Sequence, residues 1–332
     1  MPKKTLSATV LLAGLTLLLL ISLFLGLGFG SVALNFSEVL QGLLHPHSDT
    51  VESRILWVVR LPHVAGCLLA GVGLSVSGAL LQNATNNPLA GPNIIGVNAG
   101  AGFAMVLVLC LAPDAFMLAP LAAFAGAFLC TMLIIWVADR AGGSRVTVVL
   151  SGVAVTTLLS AGISLIKLID PELTIGYYAF SVGGVSNISF AELLLPALLI
   201  GGVFLTALLL GSRLDLLCLG DPLANSLGLR ARVYRTVALL LASCSAAAAV
   251  SFAGLLGFVG LMVPHIGRKL LGRSSMRLLL PVSALLGASL VILADLLGRV
   301  LFAPSQVPAG IVTAFIGAPF FFMVLLGRRN HL

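Results

Sequence analysis

Long runs of apolar residues, separated by short polar segments, divide the chain into ten stretches that could each form a helix. Charged residues are almost missing from these runs, so the pattern is typical of membrane-spanning helices and not of the one-sided stripe of a soluble helix. The predicted spans lie at residues 6–27, 61–81, 94–112, 115–138, 146–166, 191–210, 236–252, 254–266, 278–297 and 310–326.

The eighth predicted span, residues 254–266, is shorter than the roughly 20 residues that a helix needs to cross a bilayer. The distribution of lysine and arginine nevertheless indicates that it crosses. With ten spans and a cytoplasmic N-terminus, 14 of the 18 basic residues lie on the cytoplasmic side, whereas joining residues 236–266 into one crossing divides them 9 to 9. Because basic residues concentrate in cytoplasmic loops, we expect ten crossings with both termini in the cytoplasm.

Ten spans divide into two sets of five, and an odd number of crossings in each set places the two halves in opposite orientation. The third span of each half is irregular. Span 3 opens from the segment Asn87-Pro88-Leu89-Ala90-Gly91-Pro92, and span 8 contains Gly257, Gly260 and Pro264. Matched broken segments in inverted halves are typical of a transport path. The pattern predicts an all-α polytopic membrane protein with two inverted five-helix halves and short, broken helices 3 and 8.

Composition supports this interpretation, because 59% of the 332 residues are hydrophobic and only 9% are charged. A typical soluble domain has about 25% charged residues. We therefore expect one transmembrane domain at residues 1–332, in the lipid bilayer of the cytoplasmic (inner) membrane, with no room for a sizeable soluble domain. The net charge of +7 is explained by cytoplasmic loops and not by nucleic-acid binding.

Motifs of common enzymes are missing from the sequence, which contains no P-loop, no His-Glu-x-x-His and no Gly-x-Ser-x-Gly. We therefore predict that the chain is not an enzyme and binds no cofactor or metal.

Asp295 and Arg299 lie four residues apart in span 9, where they can pair. Proton- or sodium-coupled carriers usually need an isolated carboxylate near a span's midpoint, and the sequence places none there. A stand-alone secondary transporter or channel is therefore the alternative, and a membrane-embedded enzyme is disfavoured.

The cytoplasmic loop at about residues 212–235 is the candidate site for contact with an energy-supplying partner. Asp221 can cap a short helix there, Pro222 suits its first position and Gly228 can end it. The apolar surface of this helix would consist of Leu223, Ala224 and Leu227. Such a surface either packs on the protein's own bundle or docks into a partner, and the residues alone leave both possibilities open.

Several short motifs, in the same order along nearly the whole chain, resemble those of ABC importer permeases for iron-siderophores, haem and cobalamin, the FecCD-like permeases. The matching residues are Arg60-Leu61-Pro62, Ser77-Gly78 with Gln82, Asn87-Pro88-Leu89-Ala90 with Pro92 and Gly96, Leu219-Gly220-Asp221 with Ser226-Leu227-Gly228, Gly257-Phe258-Val259-Gly260-Leu261 with Pro264-His265-Ile266 and Arg268, Ala294-Asp295, and Pro308-Ala309-Gly310-Ile311-Val312-Thr313 with Gly317-Ala318-Pro319.

The resemblance implies a transport subunit that works in a larger assembly. The expected partners are a second copy or a related permease, two cytoplasmic ATPase subunits and an extracytoplasmic substrate-binding protein. ATP and Mg would bind to the ATPase and not to this chain. The resemblance also implies that the loop between spans 6 and 7 contacts the ATPase, through the residues Asp221, Pro222, Leu223, Ala224, Leu227 and Gly228.

At the outer face, the resemblance implies that Arg60 and Arg299 meet acidic groups of the binding protein. His63 stands where the family often has a second arginine, and Gln306 stands where a glutamate commonly precedes the last outer turn. These two departures make docking the least transferable part of the resemblance. The chelate itself is not specified, and iron-siderophore is expected ahead of haem or cobalamin.

The transport path is expected to follow the axis between two permease copies and to be lined by small and weakly polar residues. The candidate path and gate residues are Asn83, Asn86, Asn87, Pro88, Ser144, Gly257, Gly260, Pro264 and His265. The four asparagine and serine residues lie at cytoplasmic span ends, where helix caps and solvated loop positions are equally good interpretations.

Overall fold

The computed structural model describes residues 7–30, 35–44, 50–142, 145–272, 275–301 and 305–327. Within these ranges the regular structure is helical, with no strand. The α-helices are α1 (Ala8–Gly28), α2 (Phe36–Leu44), α3 (Val51–Arg54), α4 (Leu61–Thr85), α5 (Val97–Leu111), α6 (Ala119–Arg140), α7 (Arg145–Ile169), α8 (Leu173–Val182), α9 (Phe190–Leu209), α10 (Gly211–Leu217), α11 (Asp221–Ser226), α12 (Ala231–Ala253), α13 (Val259–Leu271), α14 (Met276–Val300) and α15 (Ala309–Gly327).

Each predicted span overlaps one of these helices, namely α1, α4, α5, α6, α7, α9, α12, α13, α14 and α15. Among the described residues, seven helical stretches are long and apolar enough to cross a membrane. Of the ten helices that match predicted spans, the shortest are α5, α13 and α15, and a helix of 13 residues such as α13 is only about 20 Å long. The prediction that the third and eighth helices are short is confirmed.

The predicted bounds of the eighth span were wrong. Residues 254–258 are not helical, because Gly254 and Phe258 both have a φ of 63° in the left-handed region. The helix α13 instead begins at Val259 and continues through Arg268 to Leu271. Hydropathy could not reveal this shift, because it records how apolar a segment is and not whether its backbone is regular.

The last three helices of each set of five pack on one another. In the first set α5, α6 and α7 contact one another, and in the second set α13, α14 and α15 do the same. The central helices also cross between the sets, because α4 packs on α14 and α12 packs on α6. These contacts agree with a division into two sets of five, and the inverted orientation of the sets stays a prediction.

The core of the bundle surrounds α4, which approaches its neighbours at glycines. A Cβ atom on Gly78 would lie 1.7 Å from the carbonyl oxygen of Gly260 in α13, and one on Gly71 would lie 2.2 Å from that of Gly287 in α14. Backbone therefore packs directly on backbone, as small residues permit in membrane bundles. In contrast, α1, α7 and α9 expose most of their apolar side chains on the outside of the bundle.

Candidate functional site

The α10–α11 loop lies at the end of the bundle that we call the basic end, because Arg140, Arg213, Arg230, Arg232, Arg268 and Lys269 are found there. Helix α11 begins after Gly220, whose φ of 88° is left-handed, and ends before Gly228, whose φ is 82°. The prediction that Asp221 caps the helix through its own side chain was wrong. Its carboxylate instead forms an ion pair with Arg235 of α12, which fixes α11 against that helix.

Helix α11 presents leucines outward and its alanine inward. Leu223 and Leu227 are 50% and 57% exposed, and Leu219 before the helix is also exposed. Ala224 is completely buried, which corrects the prediction that it is part of the exposed surface. The physical reason is helical geometry: positions 223 and 227 share a face, and the next position turns toward α12.

Two polar contacts fasten α10 to the bundle. The carboxylate of Asp215 accepts hydrogen bonds from the backbone N–H of Met276 at 2.6 Å and from the hydroxyl of Ser275 at 3.3 Å. A negative charge at this place is favourable because it lies at the N-terminus of α14. On the other side, the Asn83 amide donates to the sulfur of Cys218 at 3.1 Å. The loop is therefore held by α4, α12 and α14 while its leucines stay exposed.

The candidate path residues of the first half have different surroundings in the structure. Asn83 is buried and bonded to Cys218, so it contacts the loop and not an open channel. Asn86 is exposed and ends α4 with a left-handed φ of 48°. Asn87 accepts a hydrogen bond from the N–H of Leu89 at 3.0 Å and shapes the turn around Pro88. Ser144 lies outside the described residues.

Two candidate residues of the second half, Gly257 and Gly260, line a small cavity between α4, α5 and α13, whereas Pro264 and His265 do not. This cavity has a volume of about 140 Å³, and its lining includes Gly257, Gly260, Leu261 and Asn98. A Cβ atom added to Gly257 would have no neighbour from another part of the bundle within 4 Å, so this residue faces open space. Pro264 lies inside α13, and the ring of His265 on the same helix meets that of Phe320 edge-on, with centroids 5.9 Å apart. The broken start of α13 thus contributes directly to a cavity wall.

We call the opposite end of the bundle the Arg60 end. There, Arg60 and Arg299 from other segments pack against the C-terminus of α1. Arg60, which is only 6% exposed, donates hydrogen bonds to the carbonyl oxygens of Leu27 and Gly28. Arg299 donates to the carbonyl of Phe29 at 3.0 Å. The last carbonyls of a helix lack intrahelical partners and carry negative partial charge. The guanidinium groups therefore cap α1, a role that the sequence did not reveal.

Asp295 joins the arginines to His63. Its Oδ2 atom accepts a hydrogen bond from Arg299 Nε at 2.8 Å, which confirms the predicted pair, and lies 2.9 Å from His63 Nε2. The Cys67 sulfur lies within 4.8 Å of the nearest His63 and Asp295 ligand atoms. These three groups have the chemistry of metal ligands. However, Arg299 already donates a hydrogen bond to the Asp295 carboxylate, and its positive charge would repel a metal cation. The cluster is an ion-pair network and we assign no metal to it.

His63 and Gln306, the two residues that depart from the motifs of the resembling permeases, line one pocket at this end. The pocket has a volume of about 550 Å³ and is lined by Gly30, Ile55, Val58, Val59, Arg60, His63, Ser186, Asn187, Ile188, Ser189, Arg299 and Gln306. Its lining combines the cationic side chains of Arg60 and Arg299 with the polar residues Ser186, Asn187 and Ser189. The positions of His63 and Gln306 along the chain are 243 residues apart, so their proximity could not be read from the sequence.

Replacement of Arg299 by glutamine is expected to destabilise the protein, because the carboxylate of Asp295 is only 8% exposed and would lose its positive partner. Breaking a buried ion pair by removing one member costs about 3–5 kcal/mol. Thermal unfolding of the detergent-solubilised protein measures this loss. The matched control is the double variant Asp295→Asn with Arg299→Gln, which should recover part of the stability. Equal stability of Arg299→Gln and the wild type would contradict the assignment.

Comparison with known proteins identifies the family. The model of the FecCD transport family matches residues 18–327. The Fe(3+)-citrate import system permease protein YfmE of Bacillus subtilis is 35% identical over 326 residues, covering 97% of this chain and 96% of that protein. The ferric enterobactin transport system permease protein FepD of Escherichia coli is 37% identical over 325 residues, covering 96% and 94%.

A solved structure agrees with the sequence relatives. A metal-chelate type ABC transporter in an inward-facing conformation superimposes with a TM-score of 0.83 and 31% identity, covering 96% of this chain and 99% of that one. The aligned region therefore covers nearly the whole length of both chains. On these grounds the chain is a multi-pass membrane protein that belongs to the FecCD transport family.

Proposed function

We propose that this chain is the membrane-spanning permease subunit of an ATP-driven importer that moves a metal chelate from an extracytoplasmic binding protein into the cytoplasm. The observation that carries the proposal is the exposed pair Leu223 and Leu227 on a loop that is fastened to three helices of the bundle. A rigidly held apolar projection can transmit force from a partner. A loop that served only to connect two helices would not need these contacts.

The proposed orientation places the basic end in the cytoplasm. Arg140, Arg213, Arg232, Arg268 and Lys269 are at that end, and few basic residues are at the other. This asymmetry is the one that the positive-inside rule associates with cytoplasmic loops. The C-terminus of α1 lies against Arg60, so its N-terminus faces the basic end. The predicted cytoplasmic termini, residues 1–6 and 328–332, lie outside the described residues.

The proposed partners follow from this orientation. Two ATPase subunits, which carry ATP and Mg, would receive the leucines of α11 from the cytoplasmic side. The substrate-binding protein would dock at the Arg60 end of the bundle, above the pocket lined by Arg60, His63 and Arg299. A second copy of this chain, or a related permease, would complete the path.

The docking role of the arginines is narrower than the sequence implied. Arg60 and Arg299 already bind carbonyl groups and Asp295, so they could offer only their remaining N–H donors to an acidic partner. Charge pairs at the rim of an interface act mainly on the rate of encounter and on its salt dependence. We therefore propose that this pocket accelerates docking, and that it contributes less to the affinity of the docked state.

We propose an iron chelate as the cargo, because YfmE and FepD are named for ferric citrate and ferric enterobactin. The alternative of a stand-alone secondary transporter or channel finds less support, because Asp295 within α14 is already paired with Arg299 and His63. A paired carboxylate cannot bind and release a coupling ion without breaking this network.

The substrate and the partners can be tested together. The tagged protein is extracted from its native membrane in mild detergent, and the subunits that accompany it are identified by mass spectrometry. The retrieved binding protein is then titrated with ferric citrate, ferric enterobactin, haem and cobalamin while its intrinsic fluorescence is followed. We expect an ATPase, a binding protein and saturable quenching by a ferric chelate. A chain that is retrieved alone and transports its substrate alone would support the alternative.

A further inference from the structure

The last turn of α4 holds two other elements through neighbouring side chains. Gln82 and Asn83 are 3% and 2% exposed, so their amides are buried in the bundle. The Asn83 amide donates to the sulfur of Cys218, which directly follows α10. Buried amides need hydrogen-bond partners, and a lost partner is costly. Asn83 therefore ties this turn to the α10–α11 loop.

Gln82 ties the same turn to α13 with both ends of its amide. Its Nε2 atom donates to the carbonyl oxygen of Leu261 at 3.1 Å, and its Oε1 atom accepts a hydrogen bond from Arg268 Nη1. Among the described residues no carboxylate pairs with Arg268, so the Gln82 carbonyl is the polar group that receives its guanidinium. Hydrogen bonds from a charged donor are about twice as strong as neutral ones.

The residues of α13 held in this way form a wall of the cavity between α4, α5 and α13. Leu261 and its neighbour Gly260 both line that cavity. Gly260 also packs directly on Gly78, four residues before Gln82 on α4. Helix α13 is therefore in close contact with α4 at Gly78 and is bonded to it at Gln82, so a displacement of the α4 turn must displace the cavity wall.

We propose that Gln82 is a positioning residue of the transport cycle, which transmits the movement of the α10–α11 loop to α13 and so to the wall of the cavity. The proposal rests on the function proposed above. The loop moves when its ATPase partner closes, Asn83 transfers the displacement to the last turn of α4, and Gln82 transfers it to α13 through Leu261 and Arg268. Gln82 itself contacts neither the partner nor the cargo.

The test uses the complete complex of permease, ATPase and binding protein in proteoliposomes. The variants are Gln82→Leu, Arg268→Gln and the two together. Two matched controls remove polar groups from the same turns without touching the link. Thr85→Val removes a buried hydroxyl that bonds only within α4, to the carbonyl of Leu81. Lys269→Gln removes an exposed charge next to Arg268.

Three quantities are measured: the amount of assembled complex, ATP hydrolysis without binding protein, and the chelate imported per ATP. We expect Gln82→Leu and Arg268→Gln to assemble and to keep basal hydrolysis, but to import about tenfold less chelate per ATP. The double variant should be no worse than either single variant, because both break one link. Gln82→Glu keeps the acceptor for Arg268 and should recover part of the import. Both controls should behave like the wild type.

The outcomes that overturn the inference are distinct from failure of the proposed function. If wild-type complex imports and both variants import as much chelate per ATP, Gln82 does not transmit the movement. The same conclusion follows if the double variant multiplies the single effects, or if assembly falls in parallel with import, because Gln82 would then be only structural. A wild-type complex that imports nothing contradicts the proposed function itself.

Discussion

Replacement of Leu223 and Leu227 together by aspartate is expected to release the ATPase partner or to uncouple its hydrolysis from import. Both side chains are at least half exposed in the isolated chain, and docking would bury them in an apolar groove. Full burial of an exposed leucine is worth about 1.5–3 kcal/mol, and docking would bury the exposed half of each side chain, so loss of both weakens binding about 10- to 100-fold. Two buried carboxylates without partners would weaken it further. The measurements are the amount of ATPase that is pulled down with the permease and the chelate that the complex imports.

The fold of the permease should survive this change, because the leucines point away from the bundle. The matched control is the pair Leu223→Met and Leu227→Met, which keeps the apolar surface and should retain the ATPase. Ala224→Asp provides a contrast, because Ala224 is buried against α12 and its replacement should destabilise the loop itself. A double aspartate variant with unchanged ATPase binding and unchanged import would show that α11 is not the contact.

Replacement of Gly78 by valine is expected to prevent the protein from reaching its folded state. The new Cβ atom would lie 1.7 Å from the carbonyl oxygen of Gly260, and that atom belongs to the backbone. Overpacking a core typically costs about 1–3 kcal/mol when side chains can adjust. Here α13 itself must move, so the cost is expected to exceed that range. Recovery of monodisperse protein after detergent extraction measures the effect.

Gly202→Val is the control for this prediction. Gly202 belongs to α9, another membrane-spanning helix, and no atom beyond its chain neighbours and the adjacent backbone of α9 lies within 4 Å of the position of its Cβ. Valine there adds the same volume to the surface of the bundle and should leave the yield unchanged. If Gly78→Val and Gly202→Val give the same yield of monodisperse protein, the close packing of α4 on α13 is wrong.

The helices were predictable from the sequence because crossing a membrane demands long apolar segments, which leave a clear signal. The pair between Asp295 and Arg299 was equally accessible, because positions four apart on a helix are neighbours. The ends of α11 could be located from Gly220, Pro222 and Gly228. Each of these features depends on residues that are close together along the chain.

The features that sequence could not supply depend on residues far apart in the chain. The Asp215 carboxylate meets the N-terminus of α14 some 60 residues later, and Asn83 meets Cys218 across 135 residues. The burial of Ala224 depends on which face of α11 packs on α12. The bonds of Arg60 to the carbonyls at the end of α1 likewise join residues more than 30 positions apart, and the expected contact of Arg60 with an acidic partner stays a prediction. Hydropathy also misplaced the start of α13, because a left-handed Phe258 is invisible to it.

If this chain forms the path of an ATP-driven importer, transport should require the complete complex. Reconstitution of the chain with its ATPase and binding protein in proteoliposomes allows the accumulation of a radiolabelled ferric chelate to be followed. We expect accumulation above the external concentration only with ATP and Mg on the side of the basic end and the loaded binding protein on the Arg60 side. Accumulation by the permease alone, driven by a proton or sodium gradient without ATP, would contradict it.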